Sequence, residues 1–240
     1  MISMNKLKLS LVFLFLSIGF LHAQKYEFGI SAGGTNYIGD VGRQYYFYHN
    51  KIGGGLVFKN TINPWMSLRM GGNFLPIYAD DAQAENKGRN ARGLKVDGRL
   101  LEFSFGIEYK FLPKNPYIRH LKSQRITPYM FTGMSFVNYS GNLSKNEGFT
   151  HQYSGANIGI PMILGIKMQF AEHLLIAFES GARYNFTDNL DGTNDIYNNK
   201  DILIKGGVIP STNTNSNDWY TFTSVSLIYT FGDLSCYFGF

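Results

Sequence analysis

His151 and Ser154 stand three residues apart in a polar stretch, and a histidine able to take a proton from a serine is the start of a hydrolytic site. No carboxylate is placed nearby to orient the imidazole, so the spacing argues only weakly for nucleophilic chemistry. His22, His49, His120 and His173 are scattered, without the repeated spacing of a metal centre. Asp188, Asp191 and Asp195 with Gly192 invite a calcium reading. An EF-hand-type loop, however, wants an oxygen ligand third and a glutamate twelfth, where Leu190 and Asn199 stand. A flexible Asx-rich turn accounts for them. Gly53, Gly54 and Gly55 suit strand curvature, because no helix start follows to present N–H groups to a phosphate. No cofactor and no metal is implied, and no catalytic residue is assigned.

The compartment is read from the amino terminus. Lys6 and Lys8 precede an apolar run from Leu9 to Leu21 that closes on Ala23, the pattern of a secretory signal peptide over residues 1–23. Initiation at Met4 instead of Met1 leaves it intact. The run is too short for a convincing helical span, and no later segment reaches the roughly 20 apolar residues such a span needs. Removing Lys6 and Lys8 from 22 basic residues leaves 20 against 17 acids, a net charge of +3. These charges are dispersed, whereas a nucleic-acid binder gathers them on one face or arm. No nucleic-acid partner and no small-molecule substrate is expected.

Strict alternation then sets the elements. Leu101, Phe103, Phe105, Ile107, Tyr109 and Phe111 share one face, with Glu102, Ser104, Gly106, Glu108 and Lys110 on the other. The pattern recurs over Ile160–Phe170 and Leu174–Phe186, and less regularly over Tyr26–Gly33, Ile52–Asn60, Met66–Phe74, Pro128–Tyr139 and Trp219–Phe231. In Pro128–Tyr139 the outer face stays open between Met130, Met134, Phe136 and Phe131, Val137, Tyr139. Eight strands of this length match tilted crossings of a bilayer.

Connections alternate in length. Long polar stretches span 36–51, 79–98, 140–157 and 187–218, while Asn63-Pro64 and Ala171-Glu172-His173 are tight and 112–127 is intermediate. Short inner turns and long outer loops mark a transmembrane barrel. The expected fold is therefore an all-β, eight-stranded antiparallel transmembrane β-barrel (24–231), small and OmpA/OmpW-like, in the outer membrane. Its extracellular loops are long, and a short periplasmic tail (232–240) follows. Both termini of an even-stranded barrel face the periplasm. A soluble lipocalin-like barrel is the competitor, with the same alternation but apolar side chains inward. Strand-end aromatics such as Tyr26, Phe74, Phe170, Tyr184, Tyr229 and Phe231 favour the membrane, with its lipids as the first partner.

If the apolar faces meet lipid, Glu27, Lys59, Arg69, Glu102, Glu108, Lys110, Lys167, Glu179 and Arg183 point inward. Opposite charges there should pair and plug the lumen, since an unpaired buried charge is costly. On the periplasmic side the inner connection carries Lys114, Arg119, His120, Lys122 and Arg125, either solvated or a platform for an acidic partner. Cys236, the only cysteine, falls in the tail. A lone exported thiol suggests an intermolecular disulfide or a reactive group; the bland alternative is a thiol tucked among Tyr237, Phe238 and Phe240.

Three stretches carry a resemblance to a known family. They are the start after Ala23-Gln24, the run Gly33-Gly34-Thr35-Asn36-Tyr37-Ile38-Gly39-Asp40-Val41-Gly42, and the closing Tyr229-Thr230-Phe231-Gly232 with its cysteine-bearing tail. Over the whole mature chain the sequence resembles the PorG family, small outer-membrane barrels of the Bacteroidetes type IX secretion system. The resemblance implies a non-enzymatic scaffold role in protein transport and gliding motility. By that likeness it would tie the periplasmic ring of the lipoprotein PorK (GldK in gliding bacteria) and PorN to the outer membrane. It also implies a partner for Cys236, a disulfide to a cysteine of the ring lipoprotein. Two other classes remain: a porin-like or adhesion barrel acting through its loops, and an outer-membrane hydrolase depending on His151 or Ser154.

Overall fold

A computed structural model describes residues 25–39, 41, 42, 45, 50–85, 87–112, 126–145, 149–187, 190–192 and 218–232. The expected signal peptide and tail, with Cys236, Tyr237, Phe238 and Phe240, lie outside the described residues. So do Lys114, Arg119, His120, Lys122 and Arg125.

Eight strands form a closed antiparallel barrel in sequence order: β1 Lys25–Ile38, β2 Lys51–Thr61, β3 Met66–Asp80, β4 Leu94–Lys110, β5 Ile126–Lys145, β6 Phe149–Gln169, β7 Leu174–Asn185 and β8 Trp219–Phe231. Closure is made by β1 against β8, from Tyr26↔Phe231 to Ile38↔Trp219, which leaves no sheet edge unpaired. Among the described residues no helix is long and apolar enough to cross a membrane.

The tight turns follow from their residues. Asn63 closes the β2–β3 turn by accepting, through Oδ1, the N–H groups of Trp65 (2.9 Å) and Met66 (2.7 Å), an Asx turn that Pro64 can occupy because it needs no donor. Between β6 and β7, Phe170 N donates to Leu174 O at 3.2 Å. Glycine is required at the facing β4–β5 pair Gly106 and Gly133. A Cβ on Gly106 would stand 2.2 Å from the Thr132 carbonyl oxygen, and one on its partner Gly133 2.2 Å from that of Phe105.

The barrel shows which face is out. Along β4, Leu101, Phe103, Phe105, Ile107 and Tyr109 are exposed while Glu102, Ser104, Glu108 and Lys110 are buried, the reverse of a soluble barrel. In β5 the open facing resolves: Met130, Met134 and Phe136 are exposed, and Tyr129, Phe131, Val137 and Tyr139 point inward. Aromatic side chains ring both margins of this apolar belt. At the end carrying the tight turns, Tyr26 stacks on Phe58 (5.9 Å) and Phe231 (5.6 Å), and Trp65 on Tyr109 (6.4 Å). At the loop end, Tyr184 meets Trp219 at 4.9 Å and Phe186 at 5.4 Å. Paired girdles around an apolar band are what the two bilayer interfaces select.

Three of the expected loops are partly strand. β3 and β4 continue as a ladder to Asp80↔Lys95, and β5 and β6 to Lys145↔Phe149, so much of 79–98 and 140–157 is a sheet rising above the belt; β1 likewise runs on to Ile38. Between β3 and β4 lie a single 3₁₀ turn, Asp81–Gln83, and a short helix α1, Lys87–Arg92. The rise comes with an inversion of phase. Leu75, Ile77 and Ala79 are buried just past exposed Phe74, and Leu94, Val96 and Leu100 just before exposed Leu101. Val137 likewise follows exposed Phe136. Outside the bilayer the medium around the barrel is water, so the apolar side of each strand turns inward.

Candidate functional site

The lumen holds the chemistry-bearing residues in two layers. In the turn half, inward positions of seven strands meet at one height: Glu27 (β1), Lys59 (β2), Arg69 (β3), Glu108 (β4), Tyr129 (β5), Lys167 (β6) and Glu179 (β7). Glu108 is the hub. Its Oε1 lies 2.7 Å from Lys167 Nζ and its Oε2 2.6 Å from Lys59 Nζ, with Arg69 Nη1 at 3.7 Å. Lys167 also reaches Glu27 at 3.0 Å. Arg69 grips Glu179 with both Nη atoms, at 2.7 and 2.8 Å, the fork geometry that makes Arg–carboxylate pairs strong.

Tyr129 is the organic filler of this layer. It donates to Glu179, and its ring carries the ammonium groups of Lys59 at 4.9 Å and Lys167 at 5.0 Å. The ring fits because its cross-strand partner is Gly165, where a Cβ would meet it at 2.5 Å. Three carboxylates thus balance three cations. Lys110, at the margin, reaches Thr61 Oγ1 at 3.5 Å. One step toward the loops, Glu102 accepts from Arg183 Nε (3.1 Å), Asn73 Nδ2 (2.6 Å) and the Tyr220 hydroxyl.

The loop half departs from the expected charged plug. It is an apolar core in which Leu75, Ile77, Leu94, Val96, Leu100, Leu143, Tyr153 and Phe222 pack with Val41 and Leu190 from the connecting segments. Buried polar groups fasten the cap. The Tyr37 hydroxyl is shared between Asp191 Oδ2 (2.8 Å) and Asp218 Oδ1 (2.6 Å), and Asp218 Oδ2 accepts from Leu190 N at 2.8 Å. Burial and the negative charges of Asp191 and Asp218 push the Tyr153 phenol up, so it stays neutral. Asp81, fully buried, accepts from Gly42 N (2.9 Å), Leu94 N (3.1 Å) and Arg92 Nε (2.7 Å), tying two connections together. Tyr37→Phe removes the one hydroxyl donor that two buried carboxylates share and should lower the unfolding free energy by about 1–3 kcal/mol in a urea titration of the folded barrel. An unchanged midpoint would show that the phenol is not holding them.

The remaining candidates separate. His151 and Ser154, three apart in β6, project to opposite faces, His151 inward and Ser154 to the outer wall, so they do not form a pair. Asp191 is committed to Tyr37, and Asp188 and Asp195 lie outside the described residues. Among the described residues no cluster of three or more His, Cys, Asp or Glu is arranged to hold a metal. His173, in the β6–β7 turn, packs against Tyr229 at 5.9 Å. The cap is what sequence reasoning missed. Its signal was the phase inversion and the motif Tyr37 to Gly42, whose Tyr37 and Val41 are core and whose Gly42 has φ +83°.

Residues 6–239 match the model of a family described as a domain of unknown function, DUF6089. The chain belongs to the DUF6089 family. No curated protein matches this DUF6089 chain in sequence. Among solved structures it is similar to a major outer membrane protein from Thermus thermophilus, with a TM-score of 0.52 and 18% identity over 88% of this chain and 100% of that one. That likeness shows the fold. It is also similar to Neisserial surface protein A (TM-score 0.47, 10% identity, 87% of this chain and 97% of that one) and to OprG from Pseudomonas aeruginosa (0.44, 12%, 88% and 96%).

Proposed function

We propose that this DUF6089 chain is a non-catalytic outer-membrane scaffold that is anchored by its barrel and acts through the rim at its turn end. The observation that carries this reading is the filled lumen. Ion pairs occupy one half and an apolar core the other, so the interior is given over to stability and the rims are left as binding surface. The signal pattern at residues 1–23 supports export. Both ends of the strand circuit, Lys25 and Phe231, lie at the turn end, and in this reading that end faces the periplasm.

The finer reading is the PorG-like role in type IX secretion and gliding. It rests on the resemblance of residues 33–42 and 229–232 together with the barrel that carries them. Lys114, Arg119, His120, Lys122 and Arg125 then form the platform for the periplasmic ring of PorK or GldK with PorN. Cys236 bonds to a cysteine of the ring lipoprotein, and Tyr237, Phe238 and Phe240 belong to the same partner-binding tail.

Membranes from cells expressing the tagged wild type or Cys236→Ser are solubilised and run on reducing and non-reducing gels. The wild type should give a higher band that disappears on reduction and is missing from the variant. Identical patterns in both would remove the disulfide. Recovery of no periplasmic lipoprotein with either the full chain or one ending at Phe231 would count against the scaffold itself.

The polar wall of β3–β6 above the belt favours a second reading, adhesion through the loop end. It predicts that deleting residues 193–217 abolishes function while removing the tail does not.

A further inference from the structure

Two concavities are stacked on the outer surface along β4. The lower, of about 480 Å³, lies within the apolar belt, floored by Gly54 and Gly72 and walled by Leu56, Phe74, Leu101 and Phe103. The upper, of about 710 Å³, lies on the wall above, lined by Asp97, Arg99, Ser140, Asn142, Gln152 and Ser154 among others. Arg99 and Leu101 are successive outward residues of β4, and their β3 partners Pro76 and Phe74 line the upper and the lower hollow respectively, so the two adjoin at the β3–β4 pair.

Gly72 has no packing reason to be glycine. A Cβ there would meet nothing within 4 Å, and its outward neighbours on β3 are the large Met70 and Phe74. A strand glycine without a close approach costs stability, and here its effect is to keep the notch open. Arg99 points outward at the level where the belt ends. Its Nε donates to Ser140 Oγ at 3.0 Å, and among the described residues no carboxylate pairs with it. The nearby acids face other cations, Asp97 of the same hollow lying 3.5 Å from Lys51 in an exposed pair and Asp80 3.7 Å from Lys95.

We propose that this face is a binding site for a phosphate-bearing lipid of the leaflet at the loop end, with an acyl chain in the Gly54/Gly72 notch and the phosphate on Arg99. The assignment rests on the bilayer reading of the belt. An apolar notch at that depth faces only hydrocarbon, and an outward guanidinium on β4, four residues loopward of Phe103 and without a carboxylate partner among the described residues, matches an anionic head rather than a zwitterionic one. Ser140, Asn142, Gln152 and Ser154 supply neutral donors and acceptors for the rest of the head group.

The full-length barrel is refolded in detergent, mixed with dioleoylphosphatidylglycerol or dioleoylphosphatidylcholine, and examined by native mass spectrometry. The wild type should retain phosphatidylglycerol in preference to phosphatidylcholine. Gly72→Leu, which fills the notch, and Arg99→Gln should each reduce that adduct about tenfold, while Arg99→Lys keeps most of it. Gly72→Ala fills less of the notch and should give an intermediate loss, so the test survives if the leucine variant does not fold. Equal retention of the two lipids by the wild type, or loss in only one of the two variants, overturns the site. Flotation with lipid vesicles separates the underlying reading: a barrel that floats without preferring phosphatidylglycerol loses only the site, whereas one that does not float loses the membrane assignment as well.

Discussion

Glu108→Gln should destabilise the barrel by about 3–5 kcal/mol, because it removes one charge that three cations share inside a closed lumen. Glu108 is fully buried, and its two oxygens stand 2.7 Å from Lys167 and 2.6 Å from Lys59, with Arg69 at 3.7 Å. The glutamine keeps the shape and loses the charge. Three cations then face only Glu27 and Glu179, and no water-exposed route is open to Lys59, which is itself fully buried. The measurement is a urea titration of the barrel folded into vesicles, read by tryptophan emission and by migration of unheated samples on gels. Glu27→Gln should cost less, since Lys167 keeps Glu108 as a second partner. Adding Lys59→Met to Glu108→Gln restores the balance of two cations against two carboxylates and should recover part of the loss. A Glu108→Gln midpoint within about 0.5 kcal/mol of wild type would mean that the charges are not coupled as a network.

The identity of the lumen residues was legible because a strand gives only two directions, and lipid forbids charge on one of them. Which acid meets which base was not. Arg69 is hydrogen-bonded to Glu179 110 positions away, and Lys167 to Glu27 140 positions away; such pairs exist only once the β1–β8 seam has closed. The face of β5 was ambiguous for a related reason. Its inward Phe131 is large because it lies under the Arg69 guanidinium at 4.7 Å, and its inward Val137 and Tyr139 belong to the apolar core. None of the three is a lipid-facing residue, yet each looks like one in a linear pattern.

The sheet above the belt was hidden by the same logic. Past Phe74 and before Leu101, apolar residues occupy what had been the polar phase, and two phases meeting within one strand read as irregular loop. They are one continuous ladder crossing from hydrocarbon to water. The motif around Tyr37 to Gly42, which carried the family resemblance, sits at this boundary. Arg89 of α1 donates to the carbonyls of Gly39 (3.1 Å) and Gly42 (3.2 Å), and Val41 inserts into the core. A stretch that carries a family resemblance can therefore be recognised for reasons of packing rather than of binding.

The boundary between hydrocarbon and water can be tested on a single strand face. Leu164 and Gln152 both project outward from β6, Leu164 between Met162 and Ile166 in the belt and Gln152 on the wall above it. Leu164 is 64% exposed, which in water would make it a tolerant site. In a bilayer Leu164→Arg places a cation against acyl chains and should cost about 2–4 kcal/mol if it sits near the midplane. Gln152→Arg, on the same face of the same strand, should change stability by no more than about 0.5 kcal/mol. The substitutions introduce the same side chain into the same backbone geometry, so the difference between them reports the medium alone. Equal and small effects in vesicle-folded protein would place both positions in water and return the chain to the soluble-barrel alternative. A large cost confined to Leu164 places the belt in the membrane, and the phase inversion between the two residues then marks its outer edge.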